Sequence, residues 1–238
     1  MKEIEELQKM IDEAKNIVFF GGAGVSTESG IKDFRSKDGL YNQKYKYPPE
    51  MMLSAGFFYS KTEEFYKFYK DKMNCLDKEP NITHKYLADL EKTGKLKCVI
   101  TQNIDGLHTK AGSKTVYEIH GSIYRNYCIK CNKFYDAEYV FNSKGIPKCE
   151  CGGLIKPDVV LYGEQLGEDF NLAINSVMKA DLMIVAGSSL SVYPASSLIH
   201  YFRGKKLVII NLDTTDYDRL ADLVINKKLG EVFSKLKC

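Results

Sequence analysis

Five short apolar runs constrain this chain more than any other feature: "NIVFF" (16–20), "KCVIT" (97–101), "LMIVAG" (182–187), "KLVIINL" (206–212) and "ADLVIN" (221–226). Each is the length of a strand and too continuous for a strand with one wet face. Strands buried on both faces belong to parallel sheets covered by helices. The intervening patterns supply those helices. Ile4, Leu7, Met10 and Ile11 recur at helical spacing within 3–15, and "THKYLADLEKTG" (83–94) and "EDFNLAINSVMKA" (168–180) read the same way. The expected class is α/β, with a parallel sheet carrying helices on both faces.

Two segments break the rhythm. Residues 36–75 are rich in Tyr, Phe and Met, and 122–157 hold clustered Cys, Gly and Pro. Both read as insertions that together build a smaller lobe. The larger unit is then 1–35, 76–121 and 158–238. A chain of 238 residues with 44% apolar and 27% charged residues is ordinary for a globular protein with a full core. The net charge of +3 demands neither nucleic acid nor an anionic membrane as partner. The opening "MKEIEELQKMIDEAK" is acidic and amphipathic, unlike a signal peptide, and no apolar run is long enough to span a bilayer. These features point to the cytoplasm.

Four of the seven cysteines follow the pattern Cys128-x2-Cys131-x17-Cys149-x-Cys151. Two close pairs joined by a loop are the spacing of a zinc ribbon, where four thiolates close a tetrahedron. Such a site is structural, and in zinc-finger peptides contributes roughly 10–16 kcal/mol at neutral pH. The second pair is one residue shorter than the usual Cys-x-x-C, although Gly152 and Gly153 follow it. His120, eight residues before Cys128, has three open roles on spacing alone: catalytic base, spare metal ligand, or packing residue. With four thiolates available the metal does not need it, and "YEIHG" reads as a strand end before a Gly turn, at the lip of a sheet where α/β proteins bind ligands.

The loop "GGAGVSTESG" follows the first apolar run. Gly22 and Gly24 fit the start of a dinucleotide fingerprint, but Thr27 replaces its third Gly and no acid-ended strand follows. Backbone N–H groups from Gly22 to Ser26 could approach a pyrophosphate, with Arg35 to neutralise it. Two further polar loops, "TQNIDGLH" after 97–101 and "GSSLSVYPA" after "LMIVA", lie where the ligand crevice of an open sheet falls.

Taken in order, "GAGVSTESGIKDFRS", "TQNIDGLH", "HGS", the four cysteines, "KPDVVLYGE", "GSSLSVYPA" and "INLD" resemble the sirtuins, the NAD-dependent protein-lysine deacylases. The similarity covers about residues 20–215. It implies a Rossmann-like domain and a small lobe of helical insertion and zinc ribbon, with NAD as cosubstrate, one structural zinc ion, and acyl-lysine proteins or peptides bound in extended conformation. On matching positions, His120 is the general base and Asn103 a second catalytic residue. Gln102, Asn103 and Asp105 surround the nicotinamide ribose and carboxamide, with Ile104 and Phe34 as apolar walls. Gly22, Ala23, Gly24, Thr27, Asp33 and Arg35 form the cofactor loop. Gly187, Ser188, Ser189, Asn211 and Leu212 meet phosphate and the adenosine ribose, and Lys228 lies toward adenine. Val159, Val160, Leu161, Tyr162 and Gly163 on one side, with Ser191, Val192 and Tyr193 on the other, clamp the peptide. Cys128, Cys131, Cys149 and Cys151 hold the zinc.

The resemblance also implies chemistry. The acyl oxygen attacks the ribose carbon as nicotinamide leaves, and His120 takes a proton from a ribose hydroxyl that attacks the imidate. The products are free lysine, nicotinamide and O-acyl-ADP-ribose. Three departures stand out. Lys32 replaces the usual Pro before Asp33, the second cysteine pair is short, and Tyr69 stands where the desuccinylating branch has an Arg to pair with Tyr66. The last predicts acetyl or other uncharged acyl groups as substrates. Alternatives are a mono-ADP-ribosyltransferase or NAD hydrolase at the same site, a zinc-dependent binding module without catalysis, and a dehydrogenase.

Overall fold

The computed structural model describes residues 2–34 and 39–238. The chain begins with α1 (Lys2–Glu13), whose Ile4, Leu7, Met10 and Ile11 are buried, as their spacing requires. Strand β1 (Ile17–Gly21) follows and is buried along its whole length. Helices α2 (Pro49–Met52), α3 (Ala55–Ser60) and α4 (Thr62–Lys72) precede α5 (Ile82–Lys92) and β2 (Leu96–Thr101). Then come α6 (Leu107–Lys110), β3 (Val116–Glu118), β4 (Gly121–Cys128), β5 (Phe134–Tyr135), α7 (Ala137–Asn142) and β6 (Ile155–Val159). The C-terminal part holds α8 (Glu168–Lys179), β7 (Leu182–Ala186), β8 (Lys206–Ile210), β9 (Leu223–Ile225) and α9 (Leu229–Phe233).

Six strands form one sheet in the order β3-β2-β1-β7-β8-β9, every pair parallel. Numbered within the sheet this is 3-2-1-4-5-6, the doubly wound dinucleotide-binding order. Period-two alternation splits the strand residues between two cores. Ile17, Phe19, Ile184, Ala186, Val208 and Ile210 pack with α1, α5 and α9. Val18, Phe20, Met183, Val185, Leu207 and Ile209 pack with α8 and the helical turn 195–201 on the other face. At ~25 cal/mol per Å2 of apolar surface, each buried Phe or Ile contributes on the order of 2 kcal/mol.

A second, antiparallel sheet has the order β5-β4-β6. Its Ile123, Ile155 and Val159 share a core with Phe57, Phe58, Phe65, Tyr66, Phe68 and Tyr69 of α3 and α4. The aromatic segment and the cysteine segment thus bury one another. Several element ends differ from the sequence expectation. Strand β7 stops at Ala186 because Gly187 takes a left-handed φ of 60°. Strand β8 stops at Ile210, two residues early, because Asn211 turns its amide to the backbone of Ser188. Among the described residues no helix is long and apolar enough to cross a membrane.

Candidate active site and metal centre

In the order 3-2-1-4-5-6 the connections reverse direction between β1 and β7, and the crevice for a ligand lies beyond the strand ends there. The loops after β1, β2 and β7 meet at this point. Gly24 N–H donates to Gly187 O (2.8 Å) and Gly22 N–H to Ala186 O (3.2 Å). Val25 N–H donates to Gly22 O and Ser26 N–H to Ala23 O. This corrects one expectation: the N–H groups of Gly22, Gly24, Val25 and Ser26 are spent on neighbouring carbonyls, so they hold the loop in shape rather than stand spare for a pyrophosphate. Thr27 Oγ1 donates to Gly24 O (3.0 Å). Phe34 and Ile104 are half-buried against the aromatic core. Arg35 lies outside the described residues. The backbone of Asp33 accepts from Leu40 N–H.

The β2 loop carries a polar cluster. Ser26 Oγ donates to Asp105 Oδ2 (2.6 Å) and accepts from Asn103 Nδ2 (3.0 Å). Leu107 N–H donates to the other oxygen of Asp105 (2.9 Å). Burial raises the Asp105 pKa, and these two donors act against the shift. His84 Nε2 lies 3.5 Å from the same Ser26 hydroxyl. Its Nδ1 accepts Asn81 N–H in a capping box that starts α5. Asn81 Nδ2 in turn donates to Val25 O (2.8 Å) and Ser29 Oγ (3.0 Å), tying the loop after β1 to α5. Sequence reasoning named Ser26 only for its backbone and missed its hydroxyl, together with Asn81 and His84. The one available signal was Asn81 three residues before His84, a helix-start pattern.

His120 sits between β3 and β4, where the chain passes from the large sheet to the small one. Its Nδ1 lies 3.0 Å from Gln102 O. A carbonyl can only accept, so Nδ1 carries the hydrogen and Nε2 keeps its lone pair. Burial lowers the His120 pKa, and the Gln102 carbonyl partly restores it. His120 is no metal ligand, because the four sulfurs cluster without it. Gln102 Nε2 donates to Ser188 Oγ (2.8 Å), and Ser188 N–H donates to Asn211 Oδ1 (3.0 Å), linking the β2, β7 and β8 loops. Ser189 Oγ and Ser191 Oγ are 2.8 Å apart. Leu212 is exposed, and Lys228 precedes α9, whose Gly230 N–H donates to Glu28 of the cofactor loop (2.7 Å).

Past β6 the chain runs as an irregular edge. Val160 N–H donates to His120 O (2.9 Å), and Tyr162 exchanges backbone bonds with Leu53 and Ala55. Gly121 stands at φ 79°, where a Cβ would lie 1.9 Å from Asp158 O, so only glycine lets β6 approach His120 this closely. Tyr193, in the loop after β7, is largely exposed.

Cys128, Cys131, Cys149 and Cys151 present sulfurs that all lie within 4.8 Å of one another. The closest pairs, Cys128–Cys151, Cys131–Cys149 and Cys131–Cys151, are each 3.5 Å apart. Four sulfurs at ~2.3 Å from one ion in a tetrahedron would stand about 3.8 Å apart, so the donor set fits zinc. The short second arm closes because Gly153 has no Cβ, which would meet Cys128 Sγ at 2.6 Å. Lys130 N–H donates to Cys128 Sγ (3.4 Å), as expected of a thiolate knuckle.

A doubly wound sheet with a polar crevice at its switch point, joined to a lobe with four converging thiols, defines a dinucleotide-binding α/β protein with a metal-holding insertion. The chain belongs to the Sir2 family, whose profile matches residues 22–194. It is 56% identical over 233 residues to an NAD-dependent protein deacetylase of Clostridium tetani (strain Massachusetts / E88), covering 96% of this chain and 94% of that one. It is 55% identical over 237 residues to an NAD-dependent protein deacetylase of Clostridium acetobutylicum, covering 98% and 97%. Among solved structures, Sir2 with a deacetylated p53 peptide and 3'-O-acetyl ADP-ribose superposes with a TM-score of 0.91 at 41% identity, covering 98% of this chain and 96% of that one. Sir2 with a p53 peptide and NAD+ gives 0.86 at 41% identity with the same coverage.

Proposed function

We propose that the chain removes acetyl groups from protein lysines with NAD as cosubstrate, giving nicotinamide and O-acetyl-ADP-ribose. The observation that carries this reading is His120, with its tautomer set by Gln102, beside the Ser26–Asn103–Asp105 cluster at the switch point of a dinucleotide sheet. The deacetylase names of the relatives at 55–56% identity favour it over ADP-ribosyl transfer or NAD hydrolysis.

In this reading His120 Nε2 takes the proton of a ribose hydroxyl, which then attacks the acyl carbon. Asn103 and Asp105, held through Ser26, orient the nicotinamide end, and Phe34 and Ile104 keep it dry. Ser188, Ser189 and Asn211 hold phosphate and ribose. An acyl-lysine peptide pairs as a strand between 159–163 and 191–193, so main-chain bonds give affinity with little sequence demand. Val160 O and Gly163 N–H, which have no partner among the described residues, are available for that pairing. One zinc ion on the four cysteines holds the small lobe together and supplies no catalytic group, since its shell is closed. The domain division is 1–35, 76–121 and 158–238 against 36–75 and 122–157. The cytoplasm is the compartment that suits reduced thiolate ligands.

Mass spectrometry of an acetyl-lysine peptide incubated with the protein, with and without NAD, tests the function. Loss of the acetyl mass only with NAD, together with a matching O-acetyl-ADP-ribose peak, is expected. Nicotinamide release with no deacetylated peptide would favour the hydrolase alternative.

A further inference from the structure

Strand β4 does not pair evenly with β6. Gly121 and Ser122 pair with Val159 and Asp158, and the next pair is Asn126 with Pro157. Ile123, Tyr124 and Arg125 therefore stand opposite a single step of β6. Bulges of this kind re-aim side chains and often border active sites. All three residues reach the large sheet or its loops. Ile123 N–H donates to Ile104 O (3.0 Å), and the Tyr124 ring lies against Gly106. Arg125 donates from Nη1 to Glu118 Oε2 (2.6 Å) and from Nε to Asp158 Oδ2 (2.7 Å).

These two carboxylates are well placed. Glu118 ends β3, two residues before His120, and its N–H is held by Asp169 Oδ2 (2.8 Å) at the start of α8. Asp158 immediately precedes Val159, the first residue of the 159–163 edge. We propose that Arg125 is a positioning residue for the acyl-peptide: by gripping Glu118 and Asp158 together, it fixes the 159–163 edge at its distance from His120. The inference rests on the reading of 159–163 as the peptide edge.

The base itself does not depend on this grip. The His120 ring is held by Gln102 O, and Ile119 N–H donates to Thr101 O (3.1 Å), both within the large sheet. The cofactor loops are likewise joined to one another without Arg125. Loss of the guanidinium thus loosens the peptide edge, which keeps its backbone bonds to His120, Leu53 and Ala55, and leaves the cofactor side in place. Arginine suits the task because two nitrogens of a rigid fork serve two carboxylates, whereas a lysine ammonium on a flexible stem cannot hold that geometry.

Steady-state deacetylation of an acetyl-lysine peptide, with peptide and NAD varied separately, tests this in the wild type, Arg125→Ala, Arg125→Lys and Asp158→Asn. Arg125→Ala is expected to raise the peptide KM on the order of tenfold, as for loss of a charge-assisted hydrogen bond. Arg125→Lys should recover part of it, and Asp158→Asn should show a smaller rise. The NAD KM should stay within about twofold of wild type throughout. An unchanged peptide KM, or peptide and NAD KM rising together, overturns the proposal. If Arg125→Ala does not fold, Asp158→Asn decides by the same criteria. A peptide N-methylated on either side of the acetyl-lysine tests the edge separately. If the wild type turns it over unimpaired, the edge assignment fails. If methylation weakens turnover but Arg125→Ala leaves the peptide KM unchanged, only the clamp fails.

Discussion

His120 Nδ1 and the carbonyl oxygen of Gln102 lie 3.0 Å apart, joining the end of β3 to the loop after β2. This contact fixes which nitrogen is basic. It also places the imidazole on the large sheet, independent of the cysteine lobe.

His120→Ala should lower kcat by about 10²–10⁴, the usual contribution of a placed general base. NAD affinity should change far less, which isothermal titration can measure. Burial lowers the His120 pKa, so the neutral, proton-accepting form persists below pH 6.5. The acid limb of kcat against pH should accordingly have its midpoint below 6.5. A midpoint above 7 would mean that another group, or a protonated His120, governs the rate.

The acyl preference rests on what Tyr66, Tyr69 and Lys70 are already doing. The Tyr66 hydroxyl donates to Ile155 O. Tyr69 is fully buried, stacked between Phe65 and Phe141 with both centroids at 5.5 Å. Lys70 spends its ammonium on Ser143 O, Ser143 Oγ and Gly145 O at 2.6–2.7 Å. Lys67 and Lys72 of the same helix pair with Glu63 and Asp71 (both 2.8 Å), so each lysine of α4 is already engaged, and an acyl carboxylate buried without a partner is costly. Acetyl-lysine peptide should therefore be turned over at least about 10²-fold faster than succinyl-lysine peptide, taking roughly 3 kcal/mol for the unpaired charge. Comparable kcat/KM for the two would refute this.

Removing the metal should cost the small lobe its order before the large sheet. Cys131 and Cys151 are exposed, so a chelator can compete for the ion. The core of α3 and α4 packs on Ile123, Ile155 and Val159, so the loss should spread to the 159–163 edge proposed to hold the peptide. Chelation is expected to release one zinc per chain, abolish peptide turnover, and raise hydrogen exchange across 122–157 far more than in β1 and β7. Activity that survives full removal of zinc would contradict a structural role.

Much of the large sheet was legible because β1, β2, β7, β8 and β9 are buried on both faces and read as continuous apolar runs. Strand β3 was not, because all three of its residues are only half-buried. Strand β4 was hidden by its own bulge, which puts Tyr124 and Arg125 side by side and destroys any alternation. The cysteines were legible from spacing, since one ion dictates where four sulfurs can stand. Ser26 and His84 were not, because their contact joins residues 58 apart in sequence. The Glu118–Arg125–Asp158 grip was invisible for the same reason.

Two histidines behind the crevice should make the fold acid-sensitive. His84 and His108 pack with centroids 4.6 Å apart, both buried. Burial pushes the His84 pKa down to about 4, and burial together with His84 pushes that of His108 well below its usual value. Folding thus favours the neutral rings. Between about pH 6.5 and 4 the unfolded chain binds protons that the folded one does not. Their contribution to stability is complete above 6.5 and is lost as pH falls through that window, on the order of 3 kcal/mol for His84 alone. The urea midpoint should therefore drop steeply from pH 7 to pH 5. Neither nitrogen of His108 has a hydrogen-bond partner among the described residues, so His108→Leu forfeits no bond there. That variant should hold its midpoint at pH 7 and show a shallower decline toward pH 5. A wild-type midpoint flat from pH 7 to 5, or a decline as steep in His108→Leu as in wild type, would show that other groups set the acid limit.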